Sequence, residues 1–238
     1  MNEQQRGSSV VAFDVYGTLI DPIGVAAEID RVVAGGHGRE LARSWRAKQL
    51  EYSFRLTVMQ VYRDFRWVTD RALRFAAAST GLELSDETVG HLIDYYDRLP
   101  VFPDTLSALG AVRADGHRLA VFSNGSPDML ARVLANSGLG EYLDQQVSVD
   151  EVKAFKPAPA AYRYAARTLG VAIGQVTLVS CNAFDVVGAE AAGMRTVWVN
   201  RTGATYDTIG APPGVTITGL ADLSDALRAA PGSSTNVQ

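Results

Sequence analysis

Residues 10–18, VVAFDVYGT, decide the fold. The run opens with four apolar residues that are typical of a buried β-strand, and it then turns polar at Asp14. In an open parallel sheet the ligand site lies just beyond the carboxyl ends of the strands. We therefore expect Asp14 at the tip of a strand, inside a functional site, although an aspartate here could also simply cap the following turn.

Three further runs rich in β-branched residues follow, at 118–124 (RLAVFSN), 175–180 (QVTLVS) and 196–200 (TVWVN), and helix-patterned stretches separate them. This alternation predicts an α/β protein with a doubly wound parallel sheet. The first three strands end in polar or small residues, at 14–18, 123–126 and 180–185. These three clusters should converge at one edge of the sheet.

Roughly a hundred residues separate the first strand from the second, whereas one crossover needs only about 12. Apolar residues at helical spacing in this stretch include Leu50, Phe54, Val58, Val61 and Phe65. We therefore predict a helical cap subdomain over 22–99, inserted into a core domain formed by 10–21 and 100–228. The polar ends, 1–9 and 231–238, are predicted to be disordered tails.

Composition excludes several classes of partner. The net charge of −4 gives no reason to expect nucleic acid, and no window reaches about 18 uncharged apolar residues, so no membrane partner is predicted. One cysteine rules out an internal disulfide and fits a reducing cytoplasm, while three scattered histidines offer no zinc-like cluster.

The cap is locally basic. Residues 39–74 hold nine Arg or Lys against four Asp or Glu. A basic lid above a strand-end site would attract a small anion, although each of these charges could equally belong to an ordinary solvated helix face.

Four motifs occur in order: FDVYGT, the serine of VFSNGSP, the lysine of FKPAPAAY and the acid of SCNAFD. Together they resemble the haloacid dehalogenase superfamily, and within it the (S)-2-haloacid dehalogenases (type II, L-2-haloacid dehalogenase). The cap segment WRAKQLEY supplies the arginine of that family. The resemblance runs from about Val10 to about Thr208 and implies the Rossmann-like fold of the superfamily with an inserted cap.

Tyr16 stands where the related phosphatases carry a second aspartate, which protonates the departing alkoxide. A tyrosine with an ordinary pKa of about 10 is a poor proton donor at pH 7. A leaving group that departs as a stable anion, such as a halide, would not need that proton.

The resemblance implies that Asp14 is the nucleophile, oriented by Thr18. Lys156 would place a cation beside Asp14 and keep it ionised, with Lys153 as the competing lysine three residues earlier. Ser180, Asn182 and Asp185 complete the catalytic set. Because Asn182 is neutral and only one acid remains in this motif, no metal and no other cofactor is predicted, and Asp185 would pair with Lys156 or position the hydrolytic water.

The resemblance also implies the residues that bind the small-molecule 2-haloacid. Arg46 would bind the halide and the substrate anion, since it is a permanently charged planar donor. Tyr162 could hydrogen-bond within the site or belong to the edge of the core. The substrate-binding set is Val15, Tyr16, Arg46, Ser123, Asn124 and Tyr162, and the halide and pocket set is Arg46, Asn124, Phe184, Leu50 and Phe65.

The predicted reaction is hydrolysis of short (S)-2-haloalkanoic acids to (R)-2-hydroxyalkanoic acids and halide, through an aspartyl ester on Asp14. The stereochemistry and a homodimer rest on the resemblance alone. One alternative is a Mg-dependent phosphatase of the same superfamily. Another is an inactive protein that binds small carboxylates and releases no halide.

Overall fold

The computed structural model describes residues 9–229, and its centre is a six-stranded parallel sheet. The strand order is β3-β2-β1-β4-β5-β6. The strands are β1 (Val10–Phe13), β2 (Arg118–Ser123), β3 (Gln145–Ser148), β4 (Val176–Ser180), β5 (Arg195–Val199) and β6 (Val215–Ile217). The central β1 is buried along its whole length and lies between β2 and β4, which places the reversal of strand order directly at Asp14.

Helices connect the strands and flank the sheet, so the predicted doubly wound α/β class is confirmed. The core helices are α5 (Thr105–Ala114), α6 (Pro127–Ser137), α7 (Pro159–Leu169), α8 (Ala183–Ala192) and α9 (Leu223–Ala229). Two of the strands, β3 and β6, were not predicted. Both are edge strands of only four and three residues, and β3 reads QQVS, so neither carries the apolar run by which the other four are recognised.

The inserted cap is also present. It consists of α1 (Ala26–Val32), α2 (Gly38–Met59), α3 (Phe65–Ser79) and α4 (Asp86–Tyr96), all between β1 and β2. The chain enters and leaves it side by side, since the Asp21 N–H donates to the Pro100 carbonyl over 2.9 Å. The domain boundaries given above stay a prediction, and the tails lie outside the described residues, apart from Ser9.

The apolar spacing from Leu50 to Phe65 does not mark one helix. The helix α2 ends at Met59, because Gln60 adopts a left-handed conformation with φ of 57°, and Asp64 then caps α3 by accepting the Trp67 N–H over 2.8 Å. Val58 and Val61, which share the pattern, are exposed. No helix among residues 9–229 combines the length and apolarity that crossing a membrane requires.

Candidate active site

Asp14 follows β1 directly and lies at the centre of the site. Its backbone N–H continues the sheet by donating to the Val179 carbonyl over 3.0 Å. Its carboxylate accepts three hydrogen bonds: Lys156 Nζ donates to Oδ1 over 2.9 Å, while Thr18 Oγ1 and Asn182 Nδ2 donate to Oδ2 over 3.0 and 2.7 Å. Two distant segments and the adjacent turn therefore fix the plane of one nearly buried carboxylate.

The turn after Asp14 requires glycine at position 17. Gly17 has a φ of +99°, and a Cβ there would lie 2.9 Å from the Cys181 sulfur. The Val15 carbonyl accepts the N–H groups of Thr18, Leu19 and Ile20, which tightens the turn. Thr18 Oγ1 in turn accepts the Cys181 N–H over 2.9 Å, so its own hydrogen is directed to Asp14.

Lys156, rather than Lys153, reaches the nucleophile. Its side chain is 1% exposed, and its ammonium lies between two carboxylates, 2.9 Å from Asp14 and 2.7 Å from Asp185. Burial alone would lower the pKa of Lys156, but the carboxylates of Asp14 and Asp185 outweigh it and raise that pKa. Lys153 lies on the surface and pairs with Asp150.

Asp185 forms the predicted pair with Lys156 and is fully buried. Burial raises the pKa of its carboxyl group, against the opposing effect of Lys156. The Tyr162 hydroxyl donates to Asp185 Oδ1 over 2.8 Å, and its side chain has no exposed surface. Tyr162 is therefore a buried hydrogen-bond partner of Asp185. The predicted contact between Tyr162 and substrate stays a prediction.

The donor set does not fit a divalent cation. The phosphatases named above would hold Mg²⁺ between the first-strand aspartate and acids of the last motif. In this chain the Lys156 ammonium lies between Asp14 and Asp185, and the second oxygen of each carboxylate accepts from a hydroxyl or amide. A cation between these two acids would have to displace a buried ammonium. The absence of a metal requirement stays a prediction.

Arg46, on the cap helix α2, contacts core residues next to the nucleophile. Its guanidinium donates to the Tyr16 carbonyl over 2.9 Å and lies 3.5 Å from the side-chain oxygen of Asn182, the residue that binds Asp14. Most other basic side chains of the cap are held elsewhere. Lys48 and Arg55 pair with Glu51, Arg66 with Asp94 and Asp97, and Arg71 and Arg74 with Asp70. The basic character of the cap thus reaches the site mainly through Arg46.

Tyr16 is buried against the cap. Its ring centroid lies 5.9 Å from that of Phe65 and 5.3 Å from that of Tyr96. Burial raises the pKa of Tyr16 well above 10, and the neighbouring Tyr96 and Asp97 add to the effect. Its hydroxyl has no hydrogen-bond partner among residues 9–229. Tyr16 is therefore an even weaker acid than its residue type suggests.

The remaining predicted residues surround this centre at different depths. Asn124 accepts the Lys156 N–H over 2.8 Å, and the hydroxyls of Ser123 and Ser180 accept the N–H groups of Gly125 and Asn182. Phe184 is half-buried and packs edge-on against Phe54 of α2, with 5.1 Å between centroids. Leu50 is half-buried on α2, and Val15 contributes its carbonyl to the turn.

Three polar cap residues that are linked to Arg46 by hydrogen bonds, directly or through Gln49, were not predicted. Gln49, fully buried on α2, accepts from Arg46 over 2.7 Å and donates to Thr69 over 2.7 Å, and it also accepts from Tyr96 over 3.2 Å. The sequence signal that could have identified Gln49 is its position three residues after Arg46 on one helix, because residues three apart on a helix are neighbours. Thr69 and Tyr96 lie 20 or more residues further along and carry no such signal.

Comparison with known proteins gives one consistent result. A family model described as haloacid dehalogenase-like hydrolase matches residues 9–193. The chain is 37% identical to the (S)-2-haloacid dehalogenase of Pseudomonas sp. (strain YL), over 93% of this chain and 95% of that protein. It is 40% identical to (S)-2-haloacid dehalogenase 1 of Pseudomonas sp. (strain CBS-3), over 90% and 94%.

A solved structure agrees with these relatives. The L-2-haloacid dehalogenase from Xanthobacter autotrophicus, with chloropropionic acid covalently bound, superimposes with a TM-score of 0.87 at 33% identity, and the match covers 94% of this chain and 99% of that one.

Proposed function

The chain belongs to the haloacid dehalogenase-like hydrolase family, and from that premise we propose that it hydrolyses short (S)-2-haloalkanoic acids to (R)-2-hydroxyalkanoic acids and halide. The observation that carries the proposal is the Asp14 carboxylate, which is bound by Lys156, Thr18 and Asn182 and has Tyr16 in place of a proton-donating acid.

In the first step, one Asp14 oxygen attacks C2 of the substrate from the side opposite the halogen. The C–O bond forms as the carbon–halogen bond breaks, the halide leaves with the bonding electrons, and C2 inverts once. Three donors hold the carboxylate plane, so attack requires no reorientation of the nucleophile. Arg46, within reach of Asn182, supplies a permanent positive charge for the substrate carboxylate and the departing halide.

In the second step, water attacks the carbonyl carbon of the Asp14 ester and leaves C2 untouched. Negative charge then develops on the ester oxygen that is not bonded to C2. Lys156 donates to Oδ1, and Thr18 and Asn182 donate to Oδ2, so whichever oxygen forms the ester, the other keeps at least one donor. The ester C–O bond at the carbonyl carbon then breaks, one proton of the water goes to the hydroxyl oxygen of the product, the other is released to solvent, and Asp14 is regenerated as a carboxylate.

The phosphatase alternative is disfavoured by the same residues. An alkoxide leaving group needs a proton, and the buried Tyr16 phenol, with its raised pKa, does not supply one. A phosphate group also brings charge that Mg²⁺ normally offsets, whereas Lys156 occupies the space between the two acids. Halide departs as a stable anion and needs neither a proton nor Mg²⁺.

The direct test is release of chloride from each enantiomer of 2-chloropropionate, with EDTA present, by the wild type and by Asp14→Asn. We expect chloride from the (S) enantiomer only, (R)-lactate as product, no effect of EDTA, and no turnover by the variant. Brisk hydrolysis of aryl phosphates with Mg²⁺, without chloride release, would instead establish the phosphatase alternative.

Isotope labelling tests the ester intermediate and separates it from the two remaining alternatives. Multiple turnovers in ¹⁸O-labelled water should place label in the Asp14 carboxylate, which mass spectrometry of the peptide detects. Label in the lactate alone would mean direct attack of water on C2. Binding of 2-chloropropionate without any chloride release would indicate an inactive carboxylate-binding protein.

The proposal includes a homodimer that forms through the cap, in a reducing cytoplasm. Large apolar side chains are exposed at the end of α2, in the segment that follows it and on α3: Val58, Met59, Val61, Trp67 and Phe75. A second copy of the chain would cover such a surface. Sedimentation equilibrium of the wild type and of Val58→Glu should then give a dimer and a monomer, respectively, and cell fractionation tests the compartment.

A further inference from the structure

Arg46 has no ionic partner within the described part of the chain. Its guanidinium donates to three neutral acceptors, namely the Gln49 side-chain oxygen over 2.7 Å, the Tyr16 carbonyl over 2.9 Å and, more weakly, the Asn182 side-chain oxygen at 3.5 Å. Most other basic residues of the cap, in contrast, pair with a nearby carboxylate. The positive charge of Arg46 is therefore held in place without being neutralised.

The orientation of the Gln49 amide follows from its neighbours. Thr69 Oγ1 donates its hydrogen to the Phe65 carbonyl over 2.6 Å, so it can only accept from Gln49, whose nitrogen lies 2.7 Å away. The amide oxygen must then face the other way, towards Arg46 and the Tyr96 hydroxyl, both of which donate to it. This chain of hydrogen bonds begins with the guanidinium as donor and ends at the Phe65 carbonyl of α3 as acceptor.

We propose that Gln49 is a positioning residue for Arg46, and that its neutrality preserves the charge that binds the halide and the substrate carboxylate. The inference rests on the proposed function. A carboxylate would accept from Arg46 as well as an amide does, but it would compete with any anionic ligand for the guanidinium. An amide supplies the same acceptor with no net charge.

Gln49→Glu is the central variant, because it changes the charge of the side chain with almost no change of shape. The probe is sodium bromide, titrated calorimetrically into the Asp14→Asn background, where no turnover occurs. We expect Gln49→Glu to weaken bromide binding at least about tenfold, since unit charges a few ångströms apart interact strongly at a partly buried site. Gln49→Met, which removes the acceptor but adds no charge, should weaken it only about threefold.

Two further variants test the position and the orientation. Gln60→Glu introduces the same charge on an exposed residue that follows the same helix, and it should bind bromide as the parent does. Thr69→Val removes the group that orients the amide and should match Gln49→Met, while Thr69→Ser should restore binding. In the active background, Gln49→Glu should raise KM far more than it lowers kcat.

The outcomes separate this inference from the proposed function. If the wild type releases no halide, the proposed function fails, yet the bromide titrations still report on Gln49 and Arg46. If Gln49→Glu binds bromide within twofold of the parent, or if Gln49→Met is the more damaging change, the role of charge is refuted. Thermal melts of each variant identify any loss of binding that arises from unfolding.

Discussion

Lys156→Met removes the charge on which the buried centre depends. The ammonium, 1% exposed, donates to Asp14 over 2.9 Å, to Asp185 over 2.7 Å and to the Phe122 carbonyl over 3.0 Å. Methionine fills similar space but leaves both carboxylates without their cation. Removing one partner of a buried ion pair typically costs about 3–5 kcal/mol. Because two acids lose the same partner, we expect a loss near the upper end, about 4–5 kcal/mol in the free energy of unfolding.

The loss should depend on pH with a defined sign. The raised pKa of Lys156 means that its contribution in the wild type is fully present below the unfolded-state pKa of about 10.4 and is lost only as pH rises through the folded value. Between pH 5 and pH 8 that contribution is constant. Burial raises the pKa of Asp185, and the variant removes the cation that opposes this effect. Asp185 can then recover stability by binding a proton, so the difference between variant and wild type should shrink as pH falls from 8 to 5.

Urea denaturation at pH 8, 7, 6 and 5 measures these differences, with Lys153→Met as the matched control. Lys153 is 58% exposed and pairs with Asp150 on the surface, so its loss should cost at most about 1 kcal/mol at every pH. Halide release should be abolished in the first variant and nearly unchanged in the second. Equal losses for the two lysines, or a loss at position 156 that does not vary with pH, would refute the reasoning.

Three other predictions concern residues around the nucleophile. Tyr16→Phe should keep halide release within about threefold and raise the free energy of unfolding by about 1 kcal/mol, measured by urea titration, because the buried hydroxyl has no partner among residues 9–229. Arg201→Met should lower kcat about tenfold with little change in KM in steady-state assays, because Arg201 binds Asp104 over 2.7 Å and the Thr18 carbonyl over 3.3 Å and so holds the turn that orients Thr18. Burial raises the pKa of Cys181 to about 11, so iodoacetamide at pH 8 should alkylate the folded protein about a hundredfold more slowly than the unfolded chain, as followed by mass spectrometry.

The nucleophile and its nearest donors could be predicted from sequence because their signals are local. Asp14 and Asn182 each follow an apolar run that ends abruptly, and parallel strands bring such ends to one edge. Lys156 could be chosen over Lys153 only by its motif. The structure adds the physical reason, since Lys156 is buried between two acids and Lys153 is in solvent.

The surroundings of the cap could not be predicted, because they depend on contacts that no local pattern encodes. Arg66 looks like part of a basic lid in the sequence, but it pairs with Asp97, 31 residues away, and Arg132 of the core joins the same carboxylate. Gln49 lies on the predicted helix, yet its role depends on Thr69, 20 residues further on. A count of basic residues along a segment therefore overestimates the positive potential at a nearby site, because some of those residues pair with carboxylates elsewhere in the chain.

The charges closest to the reaction explain why several departures from the phosphatase pattern occur together. Asp14 and Asp185 carry two negative charges, and Lys156 and Arg46 carry two positive ones, so the centre is close to neutral before a ligand binds. A neutral centre suits a substrate with one carboxylate and an uncharged carbon–halogen bond. A second aspartate at position 16 would add negative charge close to Asp14. An acid at position 182 would lie within reach of Arg46 and would compete with the anion for its guanidinium. Tyr16 and Asn182 are thus parts of one electrostatic arrangement, in which the lysine serves both acids and the cap arginine stays available for the anion.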